Sequence, residues 1–251
     1  MSSESRSENS ELTVSRRGTR SGVLVLFLLV SLVGWQLRAS AQAQPAARGA
    51  TLETRVVLAG DGMRDASPTQ VVVAWEPASD PSPPSAKRPG TFELATRDKA
   101  FAPSWLVVPA GSTVRFPNND PILHNVFSVS PGNAFDVGLY GRGEGEKAVL
   151  ESPGVVRVFC NVHRQMYAHV LVLSTPHFAH PDATGRVRLE GLPPGRGRLL
   201  VWHERTELEA RDLASPAAAP ASLQLEITRR RVPPHFNKFG RPYGRRDRYG
   251  D

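Results

Sequence analysis

Helical periodicity is missing from this chain, and in its place short apolar runs recur between clusters of glycine, proline, asparagine and aspartate. With 21 glycines and 22 prolines in 251 residues, about one residue in six is a strong breaker of regular structure, so no element can run long. The runs at 54–59, 70–75, 105–109, 113–116, 155–160, 167–173, 186–189, 199–202 and 223–228 are rich in valine, leucine and aromatic residues. That is strand composition. Many short strands with turn signals between them predict an all-β chain built as a sandwich or barrel. Its length suits one or two domains with a real apolar core.

The ends read differently. Residues 21–37 carry no charge, Arg16, Arg17 and Arg20 precede them, and Ala39-Ser40-Ala41 and Ala41-Gln42-Ala43 follow as A-x-A cleavage patterns. A basic end, a short apolar core and a small-residue exit predict a signal peptide over 1–41 and export, to the periplasm in a bacterium. The apolar run is short for a membrane span, which needs roughly 20 residues, so cleavage leaves no stable span; an uncleaved signal would leave the protein anchored. Arg16-Arg17 also fits twin-arginine export, although the basic end alone accounts for the pair. A Gln/Ala/Pro linker over 42–50 follows. The net charge of +7 is concentrated: 229–251 holds eight basic and two acidic side chains, 1–41 holds five and three, and 42–228 sums to −1. The tail, RRRVPPHFNKFGRPYGRRDRYGD, has no periodicity and reads as disordered. It interleaves arginine with Phe236, Phe239, Tyr243 and Tyr249. In an exported protein that pattern points to an anionic surface or an acidic partner, not to nucleic acid.

A single cysteine cannot form an internal disulfide, and a lone thiol outside the cytoplasm oxidises unless it is buried, cross-linked or metal-bound. Cys160 opens the segment Cys160-Asn161-Val162-His163-Arg164-Gln165-Met166, a turn between two strand-like runs. A blue-copper centre requires one thiolate, two imidazoles and a weak axial thioether. Cys160, His163 and Met166 supply three of these from one loop, and His124, soon after the run at 113–116, is placed to supply the fourth. Taken singly, Cys160 and Met166 read as core residues and His163 as a loop residue. Zinc also suits cysteine and histidine, but a thioether is a poor zinc ligand. A Cys–His nucleophile pair lacks an orienting group, and no paired carboxylates are in evidence, so the chain does not read as an enzyme.

The segment resembles the cupredoxin (blue-copper) family, whose sites in plastocyanin, amicyanin and pseudoazurin join a histidine followed by asparagine to a late Cys–His–Met loop. The C-x-x-H-x-x-M spacing is most similar to amicyanin. The words VRFPNND, HNVFS, FDVGLY, SPGVV, CNVHRQM, TPHFA and LPPGRGRLLVWH also resemble bacterial cupredoxin-like proteins labelled methylamine-utilisation proteins. The resemblance implies a Greek-key cupredoxin β-sandwich over 90–176. It also implies one copper ion on His124, Cys160, His163 and Met166, and one-electron exchange with redox partner proteins. Asn125 and Asn161 are the expected supporting residues around the ligands. Two departures stand out. Asn125 occupies a place where many methylamine-type proteins carry a second histidine, and Val162 and Arg164 replace prolines of amicyanin-like loops. Their N–H groups are thereby free to reach the Cys160 sulfur.

Residues 182–228 resemble the end of a carboxypeptidase-regulatory or transthyretin-like β-sandwich, with 51–80 as its opening strands and the copper domain inserted between. A single extended cupredoxin is the alternative. Two other functions share these residues: a copper-binding or storage module without electron transfer, and a structural β-sandwich whose site stays unused.

Overall fold

The computed structural model describes residues 49–79, 89–227 and 235–243. The expected signal peptide, all but the last two residues of the 42–50 linker, residues 80–88 and the tail segments 229–234 and 244–251 lie outside the described residues. Among the described residues no helix is long and apolar enough to cross a membrane.

The chain is all-β. Its strands are β1 (Ala50–Ala59), β2 (Val72–Pro77), β3 (Thr91–Glu93), β4 (Ala95–Arg97), β5 (Ala100–Ala102) and β6 (Trp105–Pro109). Next come β7 (Ser112–Asn118), β8 (His124–Ser128), β9 (Phe135–Tyr140), β10 (Gly143–Leu150), β11 (Gly154–Phe159) and β12 (Tyr167–Leu173). The last are β13 (Phe178–Ala179), β14 (Arg186–Leu192), β15 (Gly197–Trp202), β16 (Glu209–Leu213) and β17 (Ser222–Glu226).

These strands form two pairs of facing sheets. In the first pair, the order β14-β1-β17 faces β13-β2-β15-β16. Leu52, Val56, Val73, Trp75, Leu199, Val201, Leu223 and Leu225 fill the space between them. Strands from the two ends of the described chain therefore close one sandwich. In the second pair, β10-β7-β4-β5, with β3 also on β7, faces β6-β12-β11-β8-β9. The chain alternates between these sheets, and β6 pairs in parallel with the much later β12. Leu94, Val114, Phe116, Val126, Val156, Val158, Val170 and Val172 make this second core.

Side chains alternate across a strand, and the seam between the sandwiches uses the faces left over. Val73 and Trp75 point into the first core, whereas Val72 and Ala74 join Leu171, Leu173, Leu200 and Trp202 in a third cluster. Val170 and Val172 take the opposite face of β12 from Leu171 and Leu173. All seven residues of β12 are buried. Fully burying one such side chain is worth roughly 1.5–3 kcal/mol, so β12 is among the hardest strands to move. Trp105 and His169 both meet the Trp202 ring nearly edge-on, at 6.1 and 5.7 Å between centroids.

Directly after Trp202, His203 is fully buried in a tight turn. Its Nδ1 accepts the Arg205 N–H at 3.1 Å, and its Nε2 has no hydrogen-bond partner among the described residues. Burial, with the nearby Arg205 cation, lowers its pKa to about 4. A histidine with a depressed folded pKa stays neutral while the unfolded chain takes up a proton. The stability it contributes is therefore complete above about pH 6.5 and is lost as pH falls towards 4. The span is about 3 kcal/mol. Urea unfolding should show that loss between pH 7 and pH 4, and His203→Asn, which keeps an acceptor near Nδ1, should flatten it; an unchanged pH slope in the variant would contradict the assignment.

Candidate metal centre

β11 delivers its chain to a seven-residue turn, and β12 takes it away. Within the turn the Cys160 N–H donates to the Met166 carbonyl at 3.2 Å and the Met166 N–H to the His163 carbonyl at 3.0 Å. The His163 N–H lies 3.5 Å from the Cys160 sulfur. The backbone donor reaching the thiol is thus that of His163 itself, not those of Val162 or Arg164, because the turn folds residue 163 back over residue 160. Cys160 and Met166 are buried in the same core cluster, while His163 is half-buried.

His124 opens β8 and is fully buried. Cys160 Sγ lies 3.8 Å from His124 Nδ1 and 3.8 Å from His163 Nδ1, and the two nitrogens are 3.2 Å apart. A triangle with those sides has its centre about 2.1 Å from each corner, close to the roughly 2.0–2.3 Å bonds that zinc makes to imidazole and thiolate. One soft or borderline ion fits these three donors.

The tautomer of His124 follows from a residue that the motif did not single out. Asp120 Oδ2 is 2.8 Å from His124 Nε2. An ionised carboxylate only accepts, so Nε2 carries the proton and the Nδ1 lone pair faces Cys160 and His163, the arrangement found around metal-bound histidines. Asp120 is itself fixed. Its carboxylate accepts the N–H groups of Asp98 and Lys99 at 2.7 and 3.1 Å. Those two residues form the β4–β5 turn with φ of 52° and 56°, the doubly left-handed conformation of a tight hairpin. Asn118 secures the other side, taking the Asp120 N–H at 2.9 Å and donating to the Ile122 carbonyl at 2.9 Å. Burial pushes the Asp120 carboxyl up, but hydrogen bonds from His124, Lys99 and Asp98 outweigh it and hold the pKa below the ordinary value. For His163, burial first and then the His124 and Lys99 charges lower the pKa, against an opposing pull from Asp120. The lowered pKa of His163 favours its neutral imidazole, the ligand form.

Asn125 joins the two halves of the site. Its Oδ1 accepts the Asn161 N–H at 3.3 Å, while its Nδ2 donates to Asp136 Oδ1 at 2.6 Å and the Gly138 carbonyl at 2.8 Å. Asn161 Oδ1 accepts the Lys238 N–H at 3.0 Å. Burial raises the Asp136 pKa, but hydrogen bonds from Lys238, Asn125 and Gly138 reverse the sign. Tyr140, register partner of His124, is buried beside Cys160, and its hydroxyl has no hydrogen-bond partner among the described residues. Burial, then the Cys160 charge, pushes that phenol's pKa up. The other histidines stand apart from the donor triangle. His169 packs on Tyr167 and Trp202, His180 Nδ1 lies 2.9 Å from the Val71 carbonyl, and His235 stacks on Phe159.

No family model matches the chain, and no curated protein does. Among solved structures it is similar to a purple cupredoxin from Nitrosopumilus maritimus, at 23% identity over 33% of this chain and 99% of that one, with a TM-score of 0.29. It is also similar to amicyanin from Paracoccus versutus, at 19% identity over 41% of this chain and 98% of that one, with a TM-score of 0.31. Both likenesses leave more than half of the chain unmatched.

Proposed function

We propose that this chain is an exported single-copper protein that carries electrons one at a time. The observation that carries the reading is the convergence of Cys160 Sγ, His124 Nδ1 and His163 Nδ1 on one point, with His124 held by Asp120 and the Cys160 sulfur by the His163 N–H. Met166 is the proposed fourth, thioether donor. When bound, copper supplies a Cu(I)/Cu(II) couple. Everything else is the work of the chain. Asp120 holds the His124 tautomer, the Asn125–Asn161 bond ties the loop to β8–β9, and the core around Cys160 keeps water from the sulfur. A geometry that needs no rearrangement suits electron exchange, and half-buried His163 is the proposed exit edge.

Redox partner proteins, periplasmic location and an anionic surface for the basic tail belong to the same proposal. So does the absence of catalytic and nucleic-acid-binding roles. The sandwich of β1, β2 and β13–β17 is proposed as one split domain that holds the copper-binding sandwich as an insert.

Adding Cu(II) to purified protein should give one equivalent bound, an intense visible band and reversible voltammetry, all lost in Cys160→Ala. Tight Cu(I) binding without colour would indicate a storage module, and no stoichiometric copper a structural protein; either result overturns the carrier. Asp120→Asn should weaken metal binding by roughly 10–100-fold in a competition titration. Wild-type affinity in that variant would remove Asp120 from the account.

A further inference from the structure

The outer face of the sheet carrying the metal loop has two covers. At one end the sandwich of β1, β2 and β13–β17 packs on Trp105, Val107, Val155, Leu171 and Leu173. At the metal end Phe127, Phe159 and Tyr167 form a separate buried aromatic cluster. There the cover is the C-terminal segment 235–243. His235 stacks on Phe159, the residue before Cys160, with centroids 4.2 Å apart and planes 16° apart.

The segment is a closed loop in its own right. Asn237 Oδ1 accepts the N–H groups of Phe239 and Arg241, both at 3.0 Å, and the Asn237 N–H returns to the Arg241 carbonyl at 2.9 Å. His235 and Tyr243, at its two ends, meet edge-to-face at 5.3 Å. A loop held by its own bonds loses less entropy when it docks. Its polar contacts converge on the metal hairpin. The Tyr243 hydroxyl donates to the Cys160 carbonyl at 3.2 Å, and the Lys238 N–H to Asn161 Oδ1 at 3.0 Å. Lys238 Nζ pairs with Asp136 Oδ2 at 2.6 Å, on the carboxylate whose other oxygen holds Asn125.

We propose that residues 235–243 are a positioning strap for the metal hairpin. Tyr243 and the Asn237–Lys238 turn fix Cys160 and Asn161 from outside, while Asn125 fixes Asn161 from within. The Cys160 backbone is then held at both ends, its N–H by Met166 and its carbonyl by Tyr243. Phe236 and Phe239 remain 60% and 70% exposed, so the strap's grip comes from its polar contacts and the His235 stack.

The test uses the full chain with Tyr243→Phe and Asn237→Ala, singly and combined, and its first arm needs no metal. Hydrogen exchange of the Asn161 and His163 amides in the metal-free protein should accelerate roughly five- to tenfold per lost anchor. Amides of β14–β17 and the thermal midpoint should stay unchanged. Equal acceleration throughout would make the segment a general prop, and no acceleration at Asn161 would make it a bystander; either overturns the strap. The second arm rests on the copper reading: release of Cu(I) to a chelator should quicken by a similar factor, and the visible band should shift. Faster exchange in a protein that binds no copper would leave the strap standing and defeat the copper reading alone.

Discussion

Burial of β12 on both faces is the constraint from which the rest of the site follows. Its valines close the core of one sandwich and its leucines close the seam with the other. The strand therefore cannot slide by a residue without exchanging every buried side chain for its neighbour. The turn before it inherits that fixity. Cys160 and Met166 are bonded to each other across the mouth of the turn, and His163 is carried between them. The Cys160, His163 and Met166 side chains are thereby anchored to a strand whose register is fixed on both faces.

His124 reaches the same point by a different route. Its strand is short and its side chain is aimed by polar contacts more than by packing. Two left-handed residues at Asp98 and Lys99 direct their N–H groups at Asp120, and Asp120 holds the far nitrogen of His124. Local backbone cost at that turn is offset by a carboxylate that is kept ionised, and the ionised carboxylate sets the tautomer. The seam with the sandwich of β1, β2 and β13–β17 supplies rigidity but no donor atom to the triangle.

Much of this was legible in the sequence, for reasons that differ by element. The run at 167–173 matches β12 because a strand buried on both faces reads as unbroken apolar sequence, and the run at 105–109 matches β6. β10 was silent: GEGEKAVL is largely exposed, charged and interrupted by glycine. β8 was hidden because its positions are occupied by site residues and not by a simple alternation. The residues His124, Cys160 and His163 were visible as chemistry-bearing types at suggestive spacing. Asp120, four residues before His124, was the available clue to the tautomer, but its role depends on the β4–β5 turn, which is distant in sequence. The contacts of 235–243 had no local signal either, since an aperiodic basic stretch does not announce which aromatic cluster it will cover.

X-ray absorption at the copper edge of the loaded protein tests the central claim most directly. The account predicts one sulfur scatterer at short range and two imidazole nitrogens, with one imidazole lost in His124→Gly and the sulfur lost in Cys160→Ala. A shell of oxygen and nitrogen alone, or one that His124→Gly leaves unchanged, would contradict it.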